Sequence, residues 1–212
     1  MSILGITMGC PTGIGPEIIL RHFIGRSEQS LFQPVVIGDI GILEKCSGEL
    51  GLNVRCQLWS PGTPLPTQAL PVISCSALKP ESLRWGHPTQ ETAFAMVAYI
   101  KKTVEFIGQG ILDGMVTCPI SKEAMQSAGF SYPGHTEMLA ELTGTRNYAM
   151  MLAGERLRVT LVTIHCPLNQ VPGSLNRESI VRLIRITHEA LIRDFALPDP
   201  RIAVAGLNPH AG

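Results

Sequence analysis

Short runs of β-branched and aliphatic residues alternate with segments of helical period along the whole chain, and this alternation is the strongest constraint on the fold. Residues 3–8, 35–38, 54–59, 112–117, 158–164 and 202–206 read as strands, several of them apolar on both faces. Strands of that kind are covered by helices on two sides. From 89 to 107, Ala93, Met96, Val97, Ile100 and Val104 recur at helical steps, and Gly108 and Gly110 end the run. From 176 to 195, Ile180, Leu183, Ile184, Thr187 and Leu191 form a second stripe, with Asn176 as N-cap and Pro198 beyond its end. Residues 121–128 and 136–142 predict shorter helices. Strands alternating with helices imply an α/β chain with a largely parallel sheet and right-handed crossovers. Residues 60–71 hold four prolines and little periodicity, which predicts a loop and a candidate passage between lobes.

Composition narrows the partners. Of 212 residues, 45% are hydrophobic and 16% charged, which gives a sizeable core and excludes a disordered chain. Net charge is zero and the longest basic cluster is Lys101-Lys102, so no nucleic-acid face is expected and a small molecule is the default partner. No stretch reaches the ~18 apolar residues of a membrane helix. The first five residues lack a basic region, so no signal peptide is expected. The six cysteines Cys10, Cys46, Cys56, Cys75, Cys118 and Cys166 form no CxxC pair and read as reduced thiols. Together these predict a cytoplasmic location.

The first strand runs into Gly9-Cys10-Pro11-Thr12-Gly13-Ile14-Gly15-Pro16-Glu17, where Pro16 and Glu17 suit the first turn of a helix. Three readings stand: a tight strand-to-helix turn with Asp39 capping the next helix, a loop whose N–H groups face an anion, or a dinucleotide site with Asp39 on the ribose. The third lacks its last glycine, because position 18 is Ile18.

Six histidines are present, and three stand out by context. His165 follows the strand expected at 158–164, and His210 follows the one expected at 202–206. In open parallel sheets ligands bind beyond the carboxyl ends of the strands, and imidazole suits Zn, Co, Ni or Fe. His22, His87 and His188 read as structural or surface residues. His135 and Thr136 sit in Tyr132-Pro133-Gly134-His135-Thr136-Glu137, a turn into a helix. They could contact a phosphate or carboxylate, or Thr136 could serve as an ordinary N-cap. In Thr117-Cys118-Pro119-Ile120-Ser121-Lys122, Ser121 could cap a helix and Lys122 reach an anion, whereas Cys118 is a poor nucleophile with no base nearby in sequence.

These blocks, with Leu139-Ala140-Glu141-Leu142-Thr143-Gly144 and Asn208-Pro209-His210-Ala211-Gly212, run collinearly from Ile6 to the last residue. In that order they resemble the 4-hydroxythreonine-4-phosphate dehydrogenase family of vitamin B6 (pyridoxal phosphate) biosynthesis. The resemblance implies a two-lobed α/β/α fold like the isocitrate and isopropylmalate dehydrogenases, of which residues 1–212 are the N-terminal and central part. It implies a cytoplasmic homodimer that oxidises 4-hydroxythreonine 4-phosphate, using NAD or NADP and a divalent metal (Zn, Co or Mg), with loss of CO₂. By carry-over, His135 and Thr136 contact the substrate, and His165 and His210 ligate the metal. Cys10 stands where the family usually has Asp. The family also continues beyond this chain's last residue, into a segment with a third metal histidine and most of the nicotinamide site. Two alternatives stay open: a sister dehydrogenase of another small hydroxy acid, such as a sugar-acid phosphate or a cyclic diol dicarboxylate, and a remnant that only binds metal and anion.

Overall fold

The computed structural model describes residues 2–25 and 31–210. It divides into two compact units, Met1–Gly144 and Thr145–Gly212.

The first unit is built on five parallel strands: β1 (Ser2–Thr7), β2 (Phe32–Gly38), β3 (Cys56–Leu58), β4 (Leu70–Ser74) and β5 (Gly114–Thr117). Their order is β3-β4-β2-β1-β5, with every pairing parallel. Val35, Val36 and Ile37 are consecutive on β2, so they point to alternating faces, yet all are fully buried. Both sheet faces are therefore covered, as the apolar runs predict. The first two covering helices are α1 (Gly15–Ile24) and α2 (Ile40–Glu49), which pack on each other. The third is α3 (Gln90–Gly108), which lies along β1, β2 and β5.

Helix α3 starts where the sequence places it. Thr89 accepts a hydrogen bond from the Thr92 N–H at 3.3 Å, and the Thr92 hydroxyl accepts one from the Thr89 N–H at 2.8 Å. Its stripe residues Ala93, Met96, Val97 and Ile100 are buried. They form a second core with Cys10, Met125 and Met138. Those methionines belong to α4 (Lys122–Ser127) and α5 (His135–Leu142). Ser121 caps α4 as expected, its hydroxyl accepting from the Ala124 N–H at 3.3 Å.

The proline-rich stretch is a surface loop between β3 and the start of β4, inside the first unit. The division of the chain falls instead at 144/145.

The second unit holds a two-stranded antiparallel sheet of β6 (Met151–Ala153) and β7 (Arg158–Thr160), then α6 (Val171–Ser174) and α7 (Arg177–Arg193). Asn176 caps α7 by accepting from the Ser179 N–H at 2.8 Å. Thr187 and Leu191 are buried, and the Thr187 hydroxyl meets that of Thr160 at 3.1 Å. Two sequence expectations fail here. The strand expected at 158–164 stops at Thr160, and 202–206 forms no strand. A strand needs a neighbour for its backbone groups. Among the described residues of this unit only β6 and β7 pair, and Val204 is 61% exposed.

Candidate functional site

The glycine-rich turn is shaped by its own backbone. Gly9 has φ of +70°, and a Cβ there would lie 2.3 Å from the Pro119 carbonyl oxygen. A Cβ on Gly15 would lie 2.1 Å from the Met8 carbonyl oxygen. The close approach these glycines permit is thus between α1 and the ends of β1 and β5. The Cys10 N–H donates to the Pro119 carbonyl at 2.9 Å, and the Gly13 N–H to the Cys10 carbonyl at 2.9 Å. These bonds and close approaches fit the tight-turn reading.

Asp39 corrects two expectations. It stands at the N-cap position of α2 but makes no side-chain cap bond. Its buried Oδ2 instead accepts from the Tyr99 hydroxyl and from the Ser76 hydroxyl, the latter at 2.5 Å. A carboxylate held that way is not free to bind a ribose. Tyr99 is fully buried, and burial, then the adjacent Asp39 charge, push its phenol well above the ordinary range. The helical stripe alone did not single out Tyr99, because a tyrosine on an apolar face reads first as core.

His135 and Thr136 are the first two residues of α5, and the N-cap is Gly134. Thr136 is therefore not the cap. At the first turn of a helix the N–H groups lack intrahelical partners. The His135 Nε2 is itself buried with no hydrogen-bond partner. A buried polar atom left unsatisfied is costly, and in a native protein it calls for an explanation such as a ligand. Burial, then the Lys122 ammonium, hold the imidazole below its usual protonation range. Lys122 opens α4, and its Nζ lies 3.7 Å from where a Gly134 Cβ would stand.

Cys118 is buried at the end of β5, and burial pushes its thiol up to about 11. That agrees with its reading as a poor nucleophile. An open cavity of about 340 Å³ lies at the starts of α3 and α4, lined by His87, Thr89, Gln90 and Ser121 among others. It contains neither His135 nor Thr136.

In the second unit, His165 and His210 are exposed. Neither follows a parallel strand: β7 belongs to the antiparallel pair, and His210 follows irregular chain. Neither histidine therefore stands at the carboxyl end of a parallel strand, where the sequence predicts it. Both have left-handed backbone, with φ of 53° and 59°. Residues other than glycine adopt it rarely, and such strain gathers at functional sites. Among the described residues no group of three His, Cys, Asp or Glu side chains stands ready to hold a metal ion. Of the other histidines, His22 stacks on Phe32, His188 is exposed on α7, and His87 lines the open cavity.

The comparisons with known proteins agree with one another. The chain is 46% identical over 99% of its length to a 4-hydroxythreonine-4-phosphate dehydrogenase of Desulfosudis oleivorans, and 42% identical to that of Desulforapulum autotrophicum. It spans about 62% of the length of these two relatives. It superposes over its whole length on the crystal structure of 4-hydroxythreonine-4-phosphate dehydrogenase from Klebsiella pneumoniae, with a TM-score of 0.91 and 33% identity, covering 66% of that chain. The model of the family described as pyridoxal phosphate biosynthetic protein PdxA matches residues 30–212. The chain belongs to the pyridoxal phosphate biosynthetic protein PdxA family.

Proposed function

We propose that this chain is the N-terminal and central part of a two-lobed dehydrogenase that oxidises 4-hydroxythreonine 4-phosphate with NAD or NADP and a divalent metal ion. The β-keto acid formed would lose CO₂, on the route to vitamin B6. The observation that carries this reading is the 46% identity over nearly the whole chain to a protein of that name. A homodimer and a cytoplasmic location belong to the same reading. No helix among the described residues is long and apolar enough to cross a membrane.

Two pairs of residues carry the chemistry. His135 offers a ring nitrogen that no protein group occupies, and Thr136 a hydroxyl beside it, at the start of a helix. Both orient the substrate. His165 and His210 hold the metal ion. Their donor chemistry fits such an ion, for each is an exposed imidazole on a loop. Without a third donor among the described residues, they supply only part of its shell. When bound, a divalent ion supplies Lewis-acid polarisation of the reacting oxygen.

The test is reduction of NAD⁺ or NADP⁺ by 4-hydroxythreonine 4-phosphate in the presence of Zn²⁺, Co²⁺ or Mg²⁺, followed by nicotinamide absorbance. Reduction that requires both the substrate and the ion supports the proposal. The assay is run on the whole two-lobed protein, because most of the nicotinamide site is expected beyond residue 212; there, reduction driven only by a different small hydroxy acid would replace the substrate, and no reduction with any of them would remove the enzymatic reading.

A further inference from the structure

The end of Lys122 reaches the residue just before His135. A Cβ added to Gly134 would meet the Lys122 Cε and Nζ at 3.6 and 3.7 Å, and the Glu137 Oε2 at 3.5 Å. The ammonium and the carboxylate thus flank Gly134. None of the ion pairs among the described residues includes Lys122. The ring next in sequence has a buried Nε2 that nothing in the protein satisfies. An imidazolium there would be a second cation beside an ammonium, and a half-buried one. A neutral ring leaves Nε2 open to a ligand group, which accepts or donates according to the tautomer.

We propose that Lys122 is a positioning residue for His135: its ammonium, beside Gly134, disfavours a second positive charge on the imidazole, so that His135 meets the substrate as a neutral ring through Nε2. The other groups around the ring leave this role to Lys122. The α3 residues packed in this core are Ala93, Met96, Val97 and Ile100, which carry no charge. Other titratable groups on the elements packed here are the Cys10 thiol in that core, Glu123 on α4, Glu137 and Glu141 on α5, and the Tyr132 phenol, which donates to Glu141 at 2.8 Å. Glu137 would favour the charged ring, yet the ring is held below the usual range, with burial first and Lys122 second as the causes.

The inference rests on the reading of His135 as a substrate contact. Its test needs neither substrate nor turnover, so a failed dehydrogenase assay and a failed titration are separate results. The full chain labelled with ¹⁵N-histidine is titrated by NMR, following the His135 ring. In Lys122→Met the midpoint should rise by about half a pH unit, the size expected for a like charge several ångströms away in a solvated site. Lys122→Arg keeps the charge and should hold the midpoint low. Raising the salt concentration should move the unaltered chain upward as the ammonium is screened, and move Lys122→Met little. A His135 midpoint that is the same with Lys, Arg and Met at position 122, or that ignores salt in the unaltered chain, overturns the proposal.

Discussion

Tyr99, in the middle of α3, donates its hydroxyl hydrogen to the Asp39 carboxylate at the end of β2, across 60 residues of sequence. Ser76, just past β4, donates to the same oxygen. Three elements of the first unit are thus tied through one buried charge. Removing one donor leaves that charge under-satisfied, which costs more than an ordinary hydrogen bond contributes. Tyr99→Phe should lower the unfolding free energy by about 2 kcal/mol in urea denaturation, with the sheet otherwise intact. An unchanged midpoint would show that Ser76 and solvent suffice for Asp39.

The turn after β1 offers a steric test. Gly15 leaves no space for a side chain, because the obstructing atom is the backbone oxygen of Met8. Gly15→Ala must push α1 away from β1, and should cost about 3 kcal/mol. Its thermal unfolding midpoint should fall well below that of the parent. A midpoint within a degree of the parent would mean that α1 docks more loosely than this geometry has it.

The thiols give a chemical test. Cys46, Cys56, Cys75 and Cys118 are each pushed up to about 11, with burial the largest cause. The nucleophile is the thiolate, so these four should react with iodoacetamide at pH 7.5 far more slowly in the native chain than in urea. Peptide mass spectrometry after a timed pulse reads each site. Rapid native labelling of Cys118 would contradict its buried, inert placement.

Much of the first unit is legible in the sequence, because burial imposes a pattern there. Val35–Ile37 is apolar on every residue since both faces of β2 are covered, and the α3 stripe is apolar every three or four residues since one face meets the core. Ser121 and Asn176 were readable as caps, their side chains being suited to bond the helix N–H groups locally. Strand β4 was not readable. Pro71 sits in it among other prolines, and its pairing with β2 begins only at Val72. Asp39 reads as a cap in the sequence because the competing donors, Ser76 and Tyr99, come from distant sequence. The second unit misled for a related reason. Residues 202–206 carry strand propensity, but propensity does not supply a neighbouring strand. For the site, His135 and Thr136 were singled out by their place after a sharp turn. The reach of Lys122 over Gly134 depends on how α4 and α5 pack, which no local pattern encodes.

The pair His165 and His210 carries the metal half of the proposed chemistry, and calorimetric titration of the chain with Zn²⁺ tests it most directly. The account predicts weak binding near one equivalent, reduced by His165→Ala or His210→Ala and abolished when both are substituted. Binding that survives unchanged in the double variant would contradict it.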